Sequence, residues 1–182
     1  MGRARGMLDG LTGARRFEVL PFLVDERLPA SVERLPDVIG SEAPSLADSE
    51  TIKTRRFSLD MGMGGGMMGG GMMGGFAING DPFAMNVINE RVSLGDTERW
   101  IVSTNMLAHP FHIHGVAFQV IRENGRDPLP ASTGWKDTVV IDQESELLVR
   151  FNQPAGDETP FMYHCHILEH EDGGMMGQFT VT

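Results

Sequence analysis

Apolar and polar residues alternate in short runs along this chain, and no segment sustains a long helical period. Residues 55–59, 98–104, 111–121, 137–141, 146–151, 161–166 and 178–181 each read as a β-strand, and 17–24 reads as a further one. The stretches 99–102 and 147–151 are apolar enough for inner strands. Turn signals fall between the runs, at Asn79-Gly80-Asp81-Pro82, Asn124-Gly125 and Asp127-Pro128. Many short strands with Gly and Pro turns predict an all-β fold built as an antiparallel sandwich.

Two stretches break the pattern. Residues 25–50 are acidic and carry Pro29, Pro36 and Pro44, the composition of a linker. The expected organisation is therefore a strand region at 1–24 left from a preceding domain, a linker at 25–50 and a domain at 51–182. An unpaired strand at 17–24 would be an association liability. Within the domain, 61–75 holds only six Met and nine Gly. So much glycine will not hold a helix or strand, which predicts a loop. Thioethers are soft donors that select Cu(I), so the loop reads as a copper-capturing segment or, alternatively, as a low-complexity insert with no role.

The length of 182 residues bounds the chain at one domain plus extras. A formal charge of −10 argues against nucleic acid, whose phosphates it would repel, and suits the attraction of cations. One cysteine excludes an internal disulfide. No apolar run is long enough for a membrane span, and residues 1–16 lack the apolar stretch of a signal peptide.

The chemistry is concentrated in two places. All six histidines and the cysteine lie in His109-Pro-Phe-His112-Ile-His114 and His164-Cys165-His166-Ile-Leu-Glu-His170, with Met175 following. A strand sends i and i+2 to one face and i+1 to the other. His164 and His166 would then point one way and Cys165 the other, with a metal site on each side of one strand. His112 and His114 share the same relation. Pro110 pushes His109 towards extended geometry and frees it to serve a different metal. Residues 171–174 read as a turn that folds His170 and Met175 back around Cys165. Imidazoles, one thiolate and a thioether form the donor set of a type 1 copper site, with imidazoles left over for further copper. Zinc is the alternative metal, but its structural sites usually draw on more thiolates.

The segments H-P-F-H-I-H-G at 109–115 and H-C-H-I-L-E-H-E-D-G-G-M at 164–175 resemble the two C-terminal copper signatures of the multicopper oxidases, the group of laccases and bacterial cuprous oxidases. Gly134-Trp135-Lys136-Asp137-Thr138-Val139 resembles the bacterial members that oxidise cuprous ion, and the likeness runs from about residue 16 to the end. The resemblance implies a cupredoxin-like Greek-key β-sandwich. It implies that His109, Cys165 and His170 bind type 1 copper with Met175 as the weak axial ligand, and that the adjacent Met176 is off the family spacing. His112 would be a type 2 ligand, and His114, His164 and His166 type 3 ligands. Glu171 takes the place of a proton-delivery carboxylate, its alternative being a solvated loop acid. Relatives that oxidise Cu(I) hold the substrate ion with Met and Asp near type 1 copper. The corresponding candidates are Asp60, Met61, Met63, Met67, Met68, Met72 and Met73, and Met106 beside Asn105; Met106 could equally be a core residue.

The family builds its trinuclear cluster from eight imidazoles, and this chain offers four of them. The expectation is a C-terminal fragment, or one chain of a split enzyme, whose N-terminal part is a separate partner. Together they would couple one-electron oxidation of Cu(I) or phenolic substrates to reduction of dioxygen to water, in the periplasm or otherwise outside the cytoplasm. Two rivals stand beside this expectation. One is an electron carrier with type 1 copper alone, and the other a Met-rich copper-binding or resistance protein.

Overall fold

The structure, a computed structural model, describes residues 20, 21, 23, 25, 27–29, 34, 46, 51–61, 75–104 and 106–182. Contacts divide the chain into two units, Met1–Gly40 and Ser41–Thr182. In the first, Leu20, Pro21 and Leu23 are exposed and lie in no strand. The rest of the strand expected at 17–24 lies outside the described residues.

The second unit is a two-sheet sandwich. In chain order its strands are β1 Thr51–Met61, β2 Phe76–Ile78, β3 Glu90–Val92, β4 Thr97–Thr104, β5 His109–Ile113, β6 Phe118–Glu123, β7 Trp135–Lys136, β8 Thr138–Ile141, β9 Glu144–Arg150, β10 Phe161–Cys165 and β11 Met176–Val181. One sheet runs β2-β1-β4-β9-β6-β7 and the other β3-β11-β10-β5-β8. The pairs β1–β4 and β11–β3 are parallel, a departure from the expected all-antiparallel pairing. No helix among the described residues is long and apolar enough to cross a membrane.

Inward-facing residues of both sheets form one core. Its centre is aromatic: Phe57 lies 4.6 Å from Trp100 between ring centroids, and Trp100 meets Tyr163 and Phe179 edge-on at 5.6 and 5.8 Å. These geometries add to the area that the rings bury. Met106, one of whose readings was a core position, is instead 52% exposed, because it sits in the connection before β5 rather than on a strand.

The single strand expected at 111–121 is two strands in different sheets. The chain turns at His114 and Gly115, where Gly115 has φ +69° and a Cβ would lie 2.4 Å from the Phe161 ring. Only glycine meets both demands. The His114 N–H donates to Met162 O at 2.8 Å, which ties the turn to β10. The turn expected at 171–174 proves to be partly helical. The short helix α1, Leu168–Asp172, carries Glu169 and Glu171 in its first turn, where acids suit the helix dipole, and Gly173 caps it.

One charged network is buried beside the core. Arg55 on β1 donates to both carboxylate oxygens of Glu98 on β4, at 2.5 and 2.8 Å, and pairs with Glu90 on β3. The Trp100 Nε1–H donates to Glu98 at 2.9 Å. Burial raises the Glu90 pKa above the usual carboxylate range, with the Arg55 charge opposing it. Arg55→Ala leaves the 1%-exposed Glu98 without its cation. It is expected to lower the unfolding free energy by about 3–5 kcal/mol in urea titrations. Adding Glu98→Gln should recover part of that loss, since a neutral amide still accepts the Trp100 N–H; no recovery would show that the buried charge is not the cause.

Candidate metal centre

Strand β10 lies between β11 and β5, with His164 opposite His112 and Cys165 opposite Phe111 on β5. Strand β5 alternates: His109, Phe111 and Ile113 are buried, while Pro110 and His112 are half-buried. The pleat therefore sends His109 inward and His112 outward. Hydrogen bonds fix the ends of these strands, from His166 N–H to Pro110 O at 2.7 Å and from Cys165 N–H to Met175 O at 3.1 Å.

On the inner side three donor atoms converge. His109 Nδ1 lies 3.4 Å from Cys165 Sγ, Cys165 Sγ lies 3.5 Å from His170 Nδ1, and the two Nδ1 atoms lie 3.2 Å apart. The point in their plane equidistant from all three is about 1.9 Å from each, near the usual metal–nitrogen distance of about 2.0 Å and short of the metal–sulfur distance of about 2.3 Å, which a position slightly out of the plane approaches. One hydrogen cannot satisfy three mutually facing lone pairs, whereas a cation at the centre uses all of them. All three residues are buried, as is Met175, whose N–H donates to His170 O at 2.9 Å. His109 Nε2 is buried without a hydrogen-bond partner among the described residues. Burial, aided by His170, holds the His109 pKa down to about 4, and burial also lowers that of His170. Burial pushes the Cys165 thiol up. At neutral pH the metal-free triangle thus holds two neutral imidazoles and a protonated thiol.

On the other side of β10, one nitrogen each of His112, His114 and His164 lie within 4.8 Å of one another. His112 Nδ1 is 2.8 Å from Asp137 O and 2.9 Å from Thr138 Oγ1. His164 Nδ1 is 3.0 Å from Cys165 O. Donation of each Nδ1–H to a carbonyl leaves the Nε2 lone pair free for a metal. His114 Nε2 lies 3.0 Å from His164 Nε2, and burial is the main cause that lowers the His114 pKa. His166 stands at the exposed rim, its ring centroid 5.7 Å from His112 and 5.4 Å from His164. Glu171 Oε2 is 3.3 Å from His164 Nδ1.

The remaining sequence candidates lie elsewhere. Asp60 accepts from Ser58 Oγ at 2.5 Å and from Gly80 N–H at 3.0 Å, which ties its carboxylate to β1 and to the turn that follows β2. Met61 ends β1 and packs on the core. Met176 starts β11 opposite His164. Met63, Met67, Met68, Met72, Met73 and Asn105 lie outside the described residues. Sequence reasoning missed Asp137 and Thr138 as partners of His112, and Phe76, whose ring stacks on His170. None of these has a local signal, because cross-strand register brings each to its partner.

The family description "Multicopper oxidase" matches residues 49–182. The cell division protein FtsP of Sodalis glossinidius is 39% identical over 189 aligned positions, covering 99% of this chain and 36% of the relative. The laccase-like multicopper oxidase CueO of Ochrobactrum sp. is a solved structure with TM-score 0.76 and 38% identity, over 88% of this chain and 37% of its own. The laccase of Pediococcus acidilactici gives TM-score 0.64 and 35% identity, over 78% of this chain and 29% of its own. The chain thus spans little more than a third of the length of such relatives. With the cupredoxin-like sandwich and both donor groups in place, the chain belongs to the multicopper oxidase family.

Proposed function

We propose that this chain is the C-terminal cupredoxin part of an oxidase that takes single electrons from Cu(I) or a phenol and delivers them to dioxygen. The observation that carries the reading is a pair of donor groups on the two faces of β10, joined through the adjacent residues Cys165 and His164. Copper is the metal expected of the family, and the donor set suits it. In this reading His109, Cys165, His170 and Met175 hold type 1 copper, His112 holds type 2, and His114, His164 and His166 hold type 3. Bound copper supplies the one-electron steps and, in a cluster completed by four imidazoles from outside this chain, the four-electron reduction of dioxygen to water.

The chain's own residues do the rest. The buried triangle fixes its donors and excludes water. Cys165 and His164 give a short link between the groups: Sγ, Cβ, Cα and the carbonyl, then the 3.0 Å hydrogen bond from His164 Nδ1–H. Glu171, 28% exposed at its side chain, stands between solvent and His164, the place for a carboxylate that hands on protons. The Met residues of 61–75 capture substrate Cu(I). The division into a strand region at 1–24, a linker at 25–50 and the cupredoxin domain at 51–182 belongs to the same proposal, as do an extracytoplasmic location and an N-terminal part that completes the cluster.

A second reading follows from the curated relatives that are called cell division proteins. A scaffold in a division complex needs no metal donors. Cys165→Ser would then leave division unaffected, whereas the oxidase reading has that variant lose its type 1 copper and its activity together.

Three results are expected. Because the thiol is protonated and the imidazoles of the triangle are neutral, binding at the type 1 site should release about one proton per ion near pH 7. Calorimetry in two buffers of different ionisation enthalpy reads this, and Cys165→Ser should abolish it; affinity then rises with pH, and no protonation of His109 competes above about pH 4. Copper-loaded chain alone should consume no dioxygen above background when given cuprous ion, while adding the N-terminal part restores uptake and His112→Ala abolishes it. With the N-terminal part present, deleting 62–74 should slow cuprous oxidation several-fold and spare the visible thiolate–copper band; unchanged oxidation would remove the loop from the mechanism.

A further inference from the structure

Phe76 stacks on His170, with ring centroids 4.4 Å apart and planes 25° from parallel. It opens β2 and sits opposite Met61 of β1, so the root of the hairpin spanning the Met/Gly run is docked on a donor of the buried triangle. Gly173 makes room for this contact. A Cβ there would lie 2.2 Å from Phe76 Cδ2 and 2.9 Å from Glu169 O. Gly173 has φ −78°, open to any residue, so it is needed for space and not for conformation. Phe76 is half-buried and packs on the core, and the His109 ring, 5.0 Å away between centroids and inclined by 50°, is the other ring against His170. Two aromatic neighbours thus define how the imidazole is turned.

We propose that Phe76 is a positioning residue that raises the reduction potential of the metal held by His109, Cys165 and His170, by fixing the His170 ring and keeping water from it. The proposal rests on the reading that these residues hold copper. With one thiolate and two neutral imidazoles, the site bears one net positive charge with Cu(II) and none with Cu(I). A drier shell penalises the charged form and so favours reduction. The hairpin that leads out of the Met/Gly run thereby tunes how readily the site accepts an electron. Phe76 touches neither substrate nor metal and acts through His170.

The test is a redox titration of the copper-loaded full chain against a mediator of known potential, read at the visible band that disappears in Cys165→Ser. Phe76→Ala should shift the Cu(II)/Cu(I) equilibrium about tenfold towards Cu(II), with the band moved or broadened. Phe76→Tyr should stay within about twofold of the parent, since it restores the stacked ring. Gly173→Ala, which keeps Phe76 but displaces its ring, should shift the equilibrium in the same direction and carries the test if Phe76→Ala does not fold. An unchanged potential in Phe76→Ala and Gly173→Ala, with the band intact, overturns the proposal. A parent chain with no Cys165-dependent band overturns the copper reading itself, and this inference with it.

Discussion

The pleat of β10 is the constraint on which the rest depends. Successive residues of a strand face opposite ways, so His164 and Cys165 are one peptide bond apart and yet belong to different donor groups. Strand β5 repeats the device beside it, with His109 inward and His112 outward. Each group draws on both strands. A register slip of one residue between them would put a donor in the wrong group on both sides of the sheet at once.

The core's task is therefore to forbid that slip. Tyr163, next to His164, is held edge-on against Trp100 from the opposite sheet, and Gly177 on β11 leaves room for its ring. Phe161, at the other end of β10, rests on Gly115 at the turn that carries His114. The bulky rings of β10 are keyed to glycines on either side of it, one on β11 and one just past β5. Sliding either neighbour would drive a ring into a backbone that carries side chains. Close packing of this kind resists continuous deformation, so the donor atoms are placed before any metal arrives.

The sorting of the His and Cys side chains into two groups was legible in the sequence because the geometry that sorts them is local. His-x-His and His-Cys-His place side chains by the period of a strand, whatever the strand pairs with. The split of 111–121 into β5 and β6 was not legible. An apolar run looks the same whether it stays in one sheet or crosses to the other, and the crossing at Gly115 depends on the distant Phe161 ring. The short strands β2, β3 and β7 escaped for a related reason: two or three residues carry no readable period, and their partners lie far along the chain. Helix α1 has five residues, too few for a 3.6-residue period to declare itself. The hydrogen-bond partners of His112 and the Phe76 stack on His170 are products of pairing and are invisible to any local pattern.

The two donor groups also differ in how far they are closed, and that difference bears on function. His109, Cys165, His170 and Met175 are all buried, and a ring covers His170. Such a set can hold an ion in a fixed, dry geometry, which suits repeated one-electron exchange because little need move between charge states. On the other face burial fades outward, from His164 through the half-buried His112 and His114 to the exposed His166. One nitrogen each of His112, His114 and His164 gather within 4.8 Å of one another beside this solvent-exposed rim. A closed group and an open one thus stand a single residue step apart, so an ion held in the first would be shielded from solvent while the second stays within its reach.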